Sequence, residues 1–275
     1  KIIDISIYYQ HVVALDEEGK VWTWGYNYYG QLGTGNTNNS NVPVQVSGLS
    51  NITFTQNKSA LGGAIYNTGT ISSINGSVFS NNTANGANAS GGAIYNSGTI
   101  STLYGDFSNN RATGSDFGSG YGGAIYNTGT INTISGSFLN NYVTGGTRAD
   151  GGAIYSTKSI RLYTDNNTYR IQGNYSQVGS GQKNYNAIFM SDASSTLTFQ
   201  MENNGVWEIY DSINGGTGYN VLITSTDGTG IFKLYNQITN ANVKLNNVTL
   251  DLTDGTYTDY NFTQFSTGNT TTGAD

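Results

Sequence analysis

The sequence contains no cysteine, so neither a disulfide framework nor a thiolate metal site can hold it together. Proline occurs once, at Pro43, and histidine once, at His11, so the turns must be made by glycine and Asn/Asp chemistry. Charge is scarce as well. Only 10% of residues are Asp, Glu, Lys or Arg, and they leave a net charge of -6 with a pI near 4.6. A phosphate-backbone partner needs clustered Lys and Arg, so nucleic acid is not expected as a ligand. No run of about 18 apolar residues exists, which excludes a membrane-spanning helix. The chain starts at Lys1 without a charged-then-apolar leader, and the reading is of a piece of something longer.

What is abundant points to strands. Glycine occurs 38 times and tyrosine 21 times, among Thr-rich stretches and many short Val/Ile runs. Strand formers between frequent tight turns argue for a folded all-β protein and against simple disorder.

The first fifty residues differ from the rest. Short strands are expected at 2–7, 11–15 and 20–24, with turns at Glu17-Glu18-Gly19 and Tyr29-Gly30, giving one four-stranded unit at most. Gly19, Trp22, Trp24, Gly25, Asn27, Gly30, Gln31, Leu32, Gly33 and Gly35, joined by His11, Ala14, Leu15, Pro43 and Val46, form a recognisable pattern. The stretch 1–49 resembles a single regulator-of-chromosome-condensation repeat, the blade of a β-propeller. The resemblance implies that the glycines make the turns between strands and that a lone blade needs neighbours to bury both faces.

From Asn51 a second repeat begins. Gly-Gly-Ala-Ile-Tyr recurs at Gly62, Gly91, Gly122 and Gly151, with spacings of 29, 31 and 29 residues. Each copy precedes Asn-Thr-Gly-Thr-Ile, Asn-Ser-Gly-Thr-Ile or a weaker form at Ser156. Phe-x-x-Asn starts at Phe54, Phe79, Phe107 and Phe138, and Ile171 to Asn174 reads as a degenerate fifth copy. A repeat of about 30 residues built from short strands and glycine turns, without a helical period, suits one coil of a parallel β-helix. The stretches 83–90, 111–121 and 142–150 vary between copies and are expected to project from one face. From 191 the strict repeat is lost, but strands are expected at 196–199, 206–210, 220–224, 230–235, 242–245 and 248–252, with turns at Asn203-Asn204-Gly205, Asn214-Gly215-Gly216, Asp227-Gly228 and Asp254-Gly255. The expected organisation is therefore a blade at 1–49, β-helix coils at 50–190 and a degenerate continuation of the same helix at 191–275.

The paired Gly-Gly-Ala-Ile and Phe-x-x-Asn motifs resemble the repeats of chlamydial polymorphic outer membrane proteins and related autotransporter passengers. That resemblance covers about 51–175. It implies a right-handed, pectin-lyase-like β-helix displayed outside the cell and used in adhesion, with outer-membrane attachment through a region C-terminal to this chain.

Stacked coils place equivalent residues above one another. Ile65, Ile94, Ile125 and Ile154 are expected to form a core column. Tyr66, Tyr95, Tyr126 and Tyr155, of opposite parity, are expected to form an outward aromatic stack, the candidate surface-binding residues. Asn82, Asn110 and Asn141 are expected to form a ladder of side-chain amides between coils.

Chemistry is harder to find. No Asp or Glu occurs between Glu18 and Asp106, and the strict coils then offer only Asp106, Asp116 and Asp150, against the paired carboxylates that glycoside hydrolysis needs. His11 reads as a packed blade residue. Asp251, Asp254 and Asp259 read as a solvated acidic turn and not as a calcium loop. No catalytic residue, metal or cofactor is expected. The functional expectation is a non-enzymatic adhesive or structural scaffold on a bacterial surface, with a protein or glycan of a host or neighbouring cell as partner. A carbohydrate-active lyase or hydrolase and a propeller-type protein-binding module stand as the alternatives.

Overall fold

A computed structural model describes residues 1–8, 10–17, 21–29, 31–34, 37–46, 52–216, 218–253, 262–265 and 270–272. Glu18, Gly19, Lys20, Gly30, Gly35, Leu49, Asn51, Asp254, Gly255 and Asp259 of the expectations above lie outside the described residues. The described residues contain strands, turns and bends but no helix, and the chain divides into two units, Lys1–Ser50 and Asn51–Asp275.

The first unit is an antiparallel sheet in sequence order: β1 (Ile2–Tyr8), β2 (His11–Asp16), β3 (Val21–Gly25) and β4 (Ser40–Gln45). Polar groups pin the long β3–β4 connection to the sheet. Buried Asn27 accepts from the Leu32 N–H at 2.8 Å and donates to the Asn38 carbonyl at 3.0 Å, while the Thr23 hydroxyl donates to the Leu32 carbonyl at 2.7 Å. The Trp22 indole N–H donates to Asp16 at 2.8 Å. His11 is half-buried and lies opposite Tyr8 and Gly25.

The second unit is a stack of coils whose strands all pair in parallel within its three sheets. One coil runs Ile94–Asn96, Thr99–Ser108, Arg111–Tyr121, and the next begins at Ile125. The first strand enters a six-stranded tyrosine sheet, the second a fifteen-stranded long sheet, and the third a six-stranded variable sheet. Register is like on like. Ile65, Ile94, Ile125, Ile154 and Ile188 align, as do Phe54, Phe79, Phe107 and Phe138, followed by Ile171 and Ile209. The phenylalanine rings stack at 4.7, 4.7 and 4.8 Å, the spacing of adjacent strands, so the rings follow the backbone ladder without strain.

The glycine pair of each motif has two separate causes. Gly91 sits at φ +66°, a left-handed conformation that favours glycine, and a Cβ on Gly92 would stand 2.0 Å from the Gly123 carbonyl of the next coil. The asparagine pair also divides its work. Asn81, Asn109 and Asn140 take positive φ and turn the chain, while Asn82, Asn110 and Asn141 point inward and bond.

The expected amide ladder is present and longer than the three residues that signalled it. It runs Asn57, Asn82, Asn110, Asn141, Asn174 and ends on Asp211, with side-chain bonds of 2.9, 2.9, 2.9, 3.0 and 2.8 Å. A second ladder joins Asn67, Asn96 and Asn127 at 2.7 and 2.8 Å and ends on the Ser156 hydroxyl at 3.1 Å.

Two expectations need correction. The variable stretches are mostly strands of the variable sheet, Thr83–Ser90, Arg111–Tyr121, Tyr142–Gly145 and Arg148–Asp150, and between the first two the register breaks only from Gly114 to Ser119. Their side chains vary, but their backbones still complete the coil, because an open edge would leave buried amides unpaired. The stretch 212–215 is also a strand, Ser212–Gly215, although Asn214-Gly215-Gly216 reads as a turn; parallel pairing with Asn186–Met190 overrides the local signal.

The coils continue past 191. Thr196–Glu202, Tyr219–Thr224, Ala241–Asn246 and Phe262–Phe265 extend the long sheet in parallel, each beside its predecessor. The variable sheet ends earlier, at Tyr175–Val178.

Candidate functional site

The tyrosine sheet supplies the ladder that the motif spacing implies. Its Ile-Tyr-Asn and Ile-Tyr-Ser strands put Ile94, Ile125 and Ile154 fully into the core, and strand alternation sends the adjoining tyrosines the other way. Tyr66, Tyr95, Tyr126 and Tyr155 stack at 4.9, 5.0 and 5.3 Å, and Phe189 extends the column at 5.7 Å.

The column is not uniformly outward, which corrects the expectation. Tyr66 is 56% exposed, Tyr95 and Tyr126 are half-buried, and Tyr155 is only 8% exposed. The cover comes from the variable sheet. Tyr121 leans on Tyr155 at 4.9 Å and on Tyr126 at 6.0 Å, and the Arg148 guanidinium lies 5.7 Å from the Tyr121 ring centre and 5.6 Å from that of Phe189. Arg148 is held by Asp150, whose carboxyl is pushed up by burial and pulled back by that arginine. Burial, then the neighbouring hydroxyls of Tyr155, Tyr95 and Tyr121, push the Tyr126 phenol up to about 12. Tyr121 and Arg148 belong to non-repeating positions, and Phe189 takes the tyrosine rung of a coil that lacks the Gly-Gly-Ala-Ile-Tyr motif, so motif reading passes over all three.

The carboxylates considered for catalysis are separated by sheet. Asp106 stands on the long sheet and accepts from the Ser137 N–H at 2.8 Å, whereas Asp116 and Asp150 stand on the variable sheet. Asp251 accepts from the Thr253 N–H at 3.0 Å, which makes a local turn. Among the described residues no group of three or more His, Asp or Glu side chains lies close enough to hold a metal ion.

A concave surface lies on the long sheet. A groove of about 470 Å³ opens over Tyr104, Arg161, Tyr163, Asp165 and Tyr169.

With this geometry in view, two repeat families match the chain. The regulator of chromosome condensation (RCC1) repeat matches residues 18–60, and a second description of that repeat matches 2–31. The Chlamydia polymorphic membrane protein repeat matches 76–97 and 106–128. The chain carries repeats of both families. The polymorphic membrane protein matches run through Phe79 to Asn82 with Gly91 to Asn96, and through Phe107 to Asn110 with Gly122 to Asn127, so they fall on the phenylalanine column and both amide ladders. The RCC1 match takes in β3 and β4 and runs on into the short strands Thr53–Thr55 and Lys58–Ser59.

Among curated proteins, the serine/threonine-protein kinase Nek8 of Danio rerio is 48% identical over 54 residues, which is 20% of this chain and 8% of that protein. So small a share of the relative carries repeat likeness and no activity. No solved structure matches.

Proposed function

We propose that the chain is part of a bacterial surface passenger, a right-handed, pectin-lyase-like β-helix preceded by one propeller-type blade, which acts as a non-enzymatic adhesive scaffold. The observation that carries this reading is that the repeated residues are consumed by stacking. The isoleucine and phenylalanine columns and the two amide ladders fill the coil interior, so what differs between coils is carried on the surface. The polymorphic membrane protein repeats at 76–97 and 106–128 support placement at an outer-membrane or cell surface.

Two exposed aromatics are the contact points. Tyr66 ends the tyrosine column, and Phe117, 93% exposed, crowns the bulge where the strand Arg111–Tyr121 outgrows its neighbour. Aromatic side chains give a large contact area at low entropy cost, which suits a surface that binds a protein or glycan on another cell. The blade reading draws on the RCC1 matches and on the exposed Ile2, Ile3, Ile5 and Ile7 of β1, apolar surface that a further blade would cover.

The test is adhesion. Surfaces coated with the whole chain should retain epithelial cells saturably, and a Tyr66→Ser/Phe117→Ser variant with unchanged circular dichroism should retain several-fold fewer. Retention equal to that on an albumin coating, or retention indifferent to both substitutions, would overturn the reading.

A further inference from the structure

The groove on the long sheet owes its existence to a change in coil size. Through three coils the long strand turns its corner tightly: residues 135–137 separate the inward Ile134 and Phe138. In the next coil the register partners of that pair are Leu162 and Ile171, and the corner between them grows to residues 163–170. The larger coil overhangs the smaller one. Tyr163, Asp165, Asn167 and Tyr169, all from the expanded corner, line the groove together with Asn75, Tyr104 and Ser135 from the tighter coils.

The lining mixes exposed ring, planar polar groups and a single cation. Tyr104 is 41% exposed, and its ring leans at 6.4 Å on that of Tyr169, which is buried against Trp207 at 5.5 Å and so props it in place. Arg161 stands at the rim shared with a second hollow that continues towards Lys158 and Thr198. Its guanidinium donates to the Thr133 hydroxyl and, at 3.3 Å, to the Gln200 side-chain carbonyl. No carboxylate pairs with it among the described residues, whereas Arg148 and Arg170 each hold an acid. Asp165 is engaged elsewhere, accepting from the Asn203 amide at 2.7 Å.

We infer that this groove binds an acidic oligosaccharide, with the Arg161 guanidinium taking a sugar carboxylate and the Tyr104 ring stacking on the adjacent sugar. Each part of the lining has a counterpart in such a ligand. Aliphatic faces of pyranose rings pack on aromatic rings, ring hydroxyls bond to amides and hydroxyls such as Asn75, Asn167 and Ser135, and guanidinium is the side chain whose donor fork matches a carboxylate. The charge balance argues against a densely sulfated chain or a nucleic acid. Asp165 lines the groove and Asp106 lies near its Tyr169, so it favours an isolated negative charge over a run of them. The site lies on the long sheet, apart from the tyrosine column and the Phe117 bulge, so it goes beyond the adhesive reading, and either proposal can fail alone.

The experiment is calorimetric titration of the whole chain with four probes: 3′-sialyllactose, lactose, tri-galacturonic acid and its methyl ester. At least one acidic probe should bind at least tenfold more tightly than its uncharged counterpart, because only the carboxylate can form charge-assisted bonds with the Arg161 guanidinium. Arg161→Gln should abolish that discrimination, and Tyr104→Ala should weaken the acidic probe about tenfold while Tyr66→Ser leaves it unchanged. Equal binding of charged and uncharged probes, no binding of either acidic probe, or discrimination that survives Arg161→Gln would overturn the inference. Arg161 and Tyr104 are both exposed at the surface, so melting curves matching the parent chain will separate lost binding from lost fold.

Discussion

The coils before and after residue 191 solve one packing problem in two ways. The earlier coils stack identical residues, phenylalanine on phenylalanine and asparagine on asparagine, and their ladder amides are all bonded. The later coils abandon identity. Phe199, Trp207 and Phe232 meet edge to face at 5.7 and 4.9 Å, the amide ladder stops at Asp211, and two buried polar atoms, the Trp207 indole N–H and the Tyr219 hydroxyl, have no partner among the described residues. Register in the first region is set by hydrogen bonds that only one alignment satisfies. In the second it is set by apolar mass, which tolerates exchange.

The largest expected effects fall where mass does the work. Trp207→Ala should lower the unfolding free energy by about 4 kcal/mol, since it empties a fully buried site, while Trp207→Phe should cost under about 1.5 kcal/mol because it keeps a ring and removes the orphan N–H. Urea titration measures both; a Phe variant as damaged as the Ala variant would mean that the indole itself is needed. In the ladder the expectation is reversed. Asn110→Ala should cost about 3 kcal/mol, because it strands the Asn82 side-chain amide, the Asn82 N–H and the Phe79 carbonyl in the interior, and Asn110→Leu should not recover the loss. The region after 191 even offers a gain: Tyr219→Phe should stabilise by up to about 1 kcal/mol.

The ladder's last rung adds a dependence on pH. Burial pushes the Asp211 carboxyl up to about 6, against the bonds from Asn174 and Gly173 that pull it down. A carboxyl whose folded pKa lies above its unfolded one binds protons more readily in the folded state, so stability should rise as pH falls from about 6 to about 4, by at most about 3 kcal/mol. Asp227 opposes it below that window. Bonds from Ser225, Thr229 and Asn203 hold its carboxyl well below the usual range, so its contribution is lost only in stronger acid. Melting temperatures between pH 4 and 7 should show the rise in the parent chain and a clearly smaller one in Asp211→Asn, where the raised Asp150 carboxyl still contributes; a rise undiminished in the variant would assign it to another group.

How far the fold could be read follows the same division. The core column, the ladder position and the degenerate copy at Ile171 were legible because a strict repeat names its stacked partners. The double asparagine was half legible: Asn110 signals the ladder, but the left-handed turn at Asn109 is invisible in a motif that leaves that position free. After 191 alternation located the strands, yet Ser212–Gly215 was hidden because its Asn-Gly-Gly is good turn chemistry held extended by neighbours. The candidate site was least legible. Tyr155 shares its motif with Tyr66, and what buries it is Tyr121 and Arg148, variable residues whose contacts depend on coil geometry. The long-sheet groove arises from a corner that changes length, and no repeated residue marks it.

The smallest effect separates the two ends of one column. Tyr66 and Tyr126 occupy equivalent rungs, and if the motif alone determined their worth, replacing either by alanine would cost the same. Tyr66 has a stacked neighbour on one side and solvent around the rest, so Tyr66→Ala should cost under about 0.5 kcal/mol, within the range of ordinary surface changes. Tyr126 is sandwiched between Tyr95 and Tyr155 and flanked by Tyr121, so its loss should cost about 2 kcal/mol through buried ring area and two stacking contacts. Spectrophotometric titration reads the same asymmetry without unfolding the chain. Because its phenol is pushed up to about 12, Tyr126 should ionise late, and Tyr126→Phe should remove amplitude from the late part of the curve only. Amplitude lost from the early part instead would mean that the column is open along its length and that the variable sheet does not cover it.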